Sequence, residues 1–334
     1  MAAPVDSAGL DLRRFCTQTR LVVVAGKGGV GKTTVSAALA RMAARAGLSV
    51  LVVEVEGKSG LAAAFGADDL EYHERVLDPG DAETGEAEVR ARALTPDIAL
   101  IEYLEDHGLG RVSRKLAKSG VVEVVSTAAP GIKDILILGK VKQLERSGAF
   151  DLIVLDAPAA GHAVSFLMSA RGLLDIVRGG PLRTQAEDVL EMLTDPARCR
   201  VVLVTLAEET PVNEVVETAF ALEDRVGVDL GPVVVNGLYP VLDGLDADPR
   251  AAAAAAGVTL RPGEAEVLGR AAGFRGRRQD LQREQLARLA AALPLPQLHL
   301  PSLFTVDLGP EEIDRLATSL AAGVEALPSP VPTT

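Results

Sequence analysis

The chain has 334 residues, a formal net charge of −12 and 48% hydrophobic residues, with no Trp and 3% aromatics. This length suffices for one large α/β domain or two small ones. The acidic balance argues against a sequence-independent nucleic-acid surface, and the scarcity of rings leaves few platforms for base stacking. No apolar run reaches the ~18–20 residues of a membrane span. Cys16 and Cys199 form no C-x-x-C pair, which argues against a disulfide framework or a zinc site built within one chain.

Residues 1 to about 18 read as a flexible lead-in without the charged-then-apolar order of a signal peptide, so the expected compartment is the cytoplasm. Leu21-Val22-Val23-Val24-Ala25 predicts a buried strand. Gly26-Lys27-Gly28-Gly29-Val30-Gly31-Lys32-Thr33-Thr34 follows, and Val35 opens a helix that runs to about Gly47. Strand, glycine loop and helix together are the setting of a phosphate-binding loop. Glycines let backbone N–H groups turn inward around phosphates, and the helix N-terminus adds the positive end of its dipole. Lys32 would reach the β- and γ-phosphates and the Thr33 hydroxyl would hold Mg²⁺. Lys27 is additional to the general pattern. Gly26, Gly28 and Gly31 also satisfy a G-x-G-x-x-G dinucleotide fingerprint, with Glu54 placed 23 residues beyond Gly31 as a ribose-binding acid. Lys32-Thr33-Thr34 favours a nucleoside triphosphate, since a dinucleotide crossover has no use for that lysine and hydroxyl.

Val50 to Glu56 predicts a second buried strand, with Glu54 and Glu56 on the same side by period two. Gly57 ends it, and Lys58-Ser59-Gly60 begins a loop at the carboxyl edge of the sheet, where open α/β proteins bind ligands. Beyond Phe65 the pattern predicts a turn at Asp78-Pro79-Gly80-Asp81, an edge strand over 89–94, and helices over 96–107, 111–127 and 132–146. This mainly helical insertion, at about 66–150, reads either as a client or substrate subdomain or as ordinary covering helices. Leu152 to Asp156 predicts a third buried strand whose final acid stands where a Walker B carboxylate would orient Mg²⁺ through water. Further strands are expected at 201–205 and 233–236, and helices at 209–226, 264–293 and 309–322. The predicted fold is α/β: a P-loop NTPase with a mostly parallel central sheet flanked by helices, plus the helical insertion. It forms one domain over 19–325, and residues 326–334 are a Pro-rich tail.

With these pieces in order, residues 20 to 322 resemble the arsenical-pump and guided-entry ATPase family, of the deviant Walker A class of P-loop proteins. The loop matches through Lys27; Asp156-Ala157-Pro158-Ala159-Ala160-Gly161-His162 is similar to the family's second switch; Glu208-Glu209-Thr210-Pro211-Val212-Asn213-Glu214 is similar to a further segment. The resemblance implies that ATP is cradled by Gly26, Lys27, Gly28, Gly29, Val30, Gly31, Lys32, Thr33 and Thr34, with Asn236 and Pro301 beside adenine. It implies Thr33 as a Mg²⁺ ligand and Asp156 as one through water. Asp156, Gly161 and His162 would couple the γ-phosphate to the helices beyond. Lys27 would act across a dimer interface on the partner subunit's nucleotide, in a role similar to an arginine finger, whose removal costs ~10³–10⁵ in rate.

Glu56 stands where the family carries its water-activating aspartate, one methylene shorter. A displacement of about 1 Å can cost roughly a hundredfold in rate, so slow hydrolysis is expected. The zinc clasp and the metalloid-binding cysteines of other members are missing, and neither zinc nor an iron–sulfur cluster is expected. The expected activity is an Mg-ATP-driven switch, a homodimer or a heterodimer with a paralogue, that couples nucleotide state to an unidentified protein client. Nucleic acid and integral membrane segments are not expected. The alternative is an ATP-binding regulatory or structural subunit with little turnover. A membrane- or DNA-positioning ATPase of the same class is less favoured, because the chain carries neither a basic C-terminal helix nor an excess of basic residues.

Overall fold

A computed structural model describes residues 11–55, 60–106, 108, 131–158 and 160–328. Its centre is an eight-stranded sheet in the order β3-β4-β2-β5-β1-β6-β7-β8. The strands are β1 (Leu21–Gly26), β2 (Val50–Val55), β3 (Arg75–Asp78), β4 (Val89–Leu94), β5 (Leu152–Asp156), β6 (Cys199–Leu206), β7 (Val233–Leu238) and β8 (Gln297–Pro301). All pairings are parallel except β3 with β4. Every residue of β1, β2 and β5 is buried, as expected of strands covered on both faces.

Period-two alternation sends the side chains of each strand into two cores. Leu21, Val23, Leu51, Val53, Ile153 and Leu155 enter one, and Val22, Val24, Val50, Val52, Leu152 and Val154 the other. Helix α1 (Leu12–Cys16), α2 (Lys32–Arg45) and the short α3 (Gly60–Ala64) contribute to the second core. Alanines 37, 38, 40, 43 and 44 of α2 are all buried, so that this helix lies close against the sheet. Helix α4 (Pro96–Asp106) packs on α5 (Ile132–Ser147). The first core is covered by α5 with α6 (Ala160–Ile176), α7 (Pro181–Thr194) and α8 (Glu209–Arg225). Its largest fully buried side chain is Phe166. The chain is completed by α9 (Pro249–Ala255), α10 (Glu264–Ala292) and α11 (Pro310–Glu325), the last packed on α2 and β8.

Three sequence expectations are corrected. Residues 89–94 are not an edge strand: β4 pairs parallel with β2 and antiparallel with β3, which takes the edge itself. The alternation of Arg90 and Arg92 suggests exposure, yet Arg92 is buried, lying 4.6 Å from the Tyr72 ring centroid. Within the lead-in, residues 12–16 form α1, whose Asp11 cap accepts from the Arg13 N–H at 3.2 Å. Helix α7 is absent from the sequence expectation, although Pro181 at its first turn and buried Ala186, Val189 and Leu193 supply the helical signal. The helix expected at 111–127 lies outside the described residues. Among the described residues, no helix is long and apolar enough to cross a membrane.

Two outcomes follow from this packing. Phe166→Ala should lower unfolding stability by about 3–5 kcal/mol through a cavity in the first core, read as a lower urea midpoint. Burial pushes the thiols of Cys16 and Cys199 each up to about 12, aided by the charge of Asp11 at Cys16 and of Glu145 and Asp229 at Cys199. Both should therefore resist Ellman's reagent at pH 8 in the native protein and react on denaturation.

Candidate functional site

Strands β1, β2 and β5 are neighbours whose carboxyl ends meet at one place, because Val24 is in register with Asp156 and Asp156 with Glu54. The chain leaves β1 there through the glycine loop. A Cβ on Gly26 would lie 2.4 Å from the Val204 carbonyl oxygen of β6, so the loop can begin only with glycine. Gly29 and Gly31 have φ of +86° and +91°, which turn the backbone into the left-handed region that glycine adopts freely. Gly31 caps α2 with no side-chain hydrogen bond of its own, leaving the first-turn N–H groups of the helix as an anion site.

The resulting cavity, about 330 Å³, is lined by Gly28, Gly29, Gly31, Lys32, Thr33, Glu54, Val55, Asp156, Ala157 and Pro158. The Thr33 hydroxyl donates to Asp156 Oδ2 at 2.6 Å, and the Ser36 hydroxyl donates to Asp156 Oδ1 at 3.2 Å. Thr33 and Ser36 stand three residues apart and so share the face of α2 turned to β5. The Asp156 carboxylate is only 6% exposed, and charged acceptors hold such hydrogen bonds more strongly than neutral ones. Lys32 Nζ donates to the Lys27 carbonyl at 3.1 Å, folding back along the loop. A glycine cradle, an ammonium, a hydroxyl and a buried carboxylate in one cavity fit a polyphosphate with a hard divalent cation, which oxygen ligands suit.

The structure brings Gly28, Gly29, Gly31, Lys32, Thr33 and Asp156 together around one cavity. Asn236 lies behind the loop: its Nδ2 donates to the Val30 carbonyl at 3.0 Å and its Oδ1 accepts from the Gly237 N–H at 2.9 Å. Pro301 lines a separate cavity with Arg45, Leu303, Asp314, Arg315 and Thr318. Lys27 is exposed on the rim and pairs with Glu214 of its own chain. Glu56 lies outside the described residues. The backbones of Gly161 and His162 fall in the first turn of α6.

Two residues join the site outside the phosphate-loop motif: Glu54, which the dinucleotide fingerprint also singles out, and Ser36, which bonds to Asp156. Glu54, 2% exposed, stands beside Asp156 and lines the cavity. Its place near the carboxyl end of a buried strand is the signal. Ser36 is detectable only as the i+3 partner of Thr33.

Comparison with known proteins agrees with this geometry. A family model described as anion-transporting ATPase matches residues 19–178. ATPase BagA of Mycobacterium tuberculosis is 36% identical over 329 residues, spanning 90% of this chain and 92% of its own. The arsenical pump-driving ATPase of Escherichia coli is 27% identical over 244 residues, 64% of this chain and 39% of its own. ATPase get3 of Schizosaccharomyces japonicus is 30% identical over 151 residues, 45% of this chain and 44% of its own. The first likeness runs nearly end to end, and the family match contains the glycine loop, both acidic strand ends and the second-switch segment: the chain belongs to the anion-transporting, ArsA-type ATPase family.

Proposed function

We propose that the chain is an Mg-ATP-driven switch in which two subunits close over nucleotide, hydrolyse it and change their hold on a protein client in the cytoplasm. The observation that carries the reading is the hydrogen bond of Thr33 to buried Asp156 at the foot of the glycine-walled cavity beside Lys32. Loop N–H groups and Lys32 would hold the β- and γ-phosphates, and Asn236 would face adenine across the loop that it already braces. Thr33 would hold Mg²⁺ directly and Asp156 through water; when bound, the ion offsets phosphate charge.

Glu56 would orient the attacking water, with slow turnover as the consequence of its longer side chain. Lys27, on the exposed rim, would complete the site of the partner subunit, which is either a second copy or a paralogue. Asp156 and the chain that follows it into α6 join the cavity to the helices over the first core, a route by which nucleotide state would reach a client. The likeness to an ATPase named for an arsenical pump and to one named get3 supports nucleotide-driven work of this kind.

Lys32→Ala should abolish single-turnover ATP hydrolysis, and a wild-type rate no higher than that variant's would instead assign the chain to an ATP-binding subunit without turnover. Lys27→Ala should retain ATP binding, lose about 10³-fold or more in hydrolysis, and remain monomeric with ADP–aluminium fluoride. Sedimentation velocity and phosphate release check these outcomes; normal hydrolysis by Lys27→Ala overturns the two-subunit site.

A further inference from the structure

Lys27 is the loop residue that the general phosphate-binding pattern does not need, and in this structure its ammonium is held by Glu214. The holder is well placed. Glu214 lies in the second turn of α8, and the start of that helix is clamped from α10: Arg278 pairs with Glu208, and Arg288 Nη2 donates to Asn213 Oδ1 at 2.5 Å. On the other side, the Lys27 backbone is fixed by its carbonyl, which accepts from Lys32. Both ends of the pair are thus anchored, and the side chains are 44% and 33% exposed, with Glu214 Oε2 itself buried.

We propose that Glu214 is a resting latch on Lys27. The ion pair keeps the lysine folded onto its own subunit, and Lys27 becomes available to a partner subunit's nucleotide only when the pair opens. The inference rests on the two-subunit reading above and adds its regulation. A half-exposed pair suits the task, because such pairs shift an equilibrium by about fivefold at most and are weakened by salt. A latch of that strength delays closure without preventing it. Two latches, one per subunit, would together shift dimer closure by up to about 25-fold. Through its clamp on the start of α8, the long helix α10 would then bear on the position of Glu214.

The test compares full-length wild type, Glu214→Gln and Lys27→Ala by sedimentation velocity with Mg²⁺, ADP and aluminium fluoride over a range of protein concentrations. Glu214→Gln is near-isosteric and keeps the helix intact; its thermal unfolding midpoint serves as the folding control. The latch predicts that Glu214→Gln associates at a protein concentration about two- to 25-fold lower than wild type in low salt, and that the difference shrinks in 0.5 M NaCl. Association of Glu214→Gln at the same or higher concentration than wild type, with Lys27→Ala still monomeric, overturns the latch and leaves the two-subunit site standing. Lys27→Ala that associates and hydrolyses like wild type overturns the two-subunit site, and the latch with it.

Discussion

A buried carboxylate needs hydrogen-bond donors, and how Asp156 obtains them sets the geometry of this protein. Asp156 ends β5 in the middle of the sheet, where leaving a charge unsatisfied would cost several kcal/mol. Both its oxygens accept from hydroxyls of α2, Thr33 and Ser36. That fixes the first turn of α2 over the carboxyl ends of β1 and β5, and hence the glycine loop that joins β1 to α2. The close approach of Gly26 to β6 holds the loop from the opposite side. The cavity is what remains between these two constraints.

The same economy links the site to the rest of the fold. Because β2 pairs with β5, Glu54 arrives beside Asp156, far from it in sequence. Because β7 lies beyond β6, Asn236 reaches the back of the loop and bonds to Val30. Helix α2 is tied on its far side by Arg41, whose guanidinium reaches Asp78 at 2.6 Å, Glu86 at 3.1 Å and Asp314 at 2.8 Å. These are contacts between β3, the turn after it, α2 and α11, so a shift at the loop is resisted from both ends of the helix.

Around this rigid centre, the charged groups facing outward are held by pairs that open cheaply. Lys27 with Glu214 and Arg278 with Glu208 join the loop rim to α8 and α10 through partly exposed ion pairs. Such pairs contribute little to stability and more to the choice between arrangements. A stable cradle with a loosely held rim would suit the switch proposed above.

The glycine loop, its lysines and the acidic ends of β2 and β5 were legible in the residues alone, because each depends on local rules: glycine at positive φ, alternation along a strand, a hydroxyl after a lysine at a helix start. Most of the α/β pattern was legible for the same reason, since buried parallel strands read as continuous apolar runs. Tertiary structure decided the rest. The interior place of β4 depends on β3, a four-residue strand with little apolar signal, and on pairing across the sheet. Strand register set Glu54 beside Asp156, helix facing brought Ser36 to it, and Lys27 acquired Glu214 from a helix 187 residues further along the chain. Pro301 lines a different cavity, between Arg45 of α2 and residues of α11. Motifs follow from neighbours in sequence; the partners of each charge follow from how the sheet orders its strands.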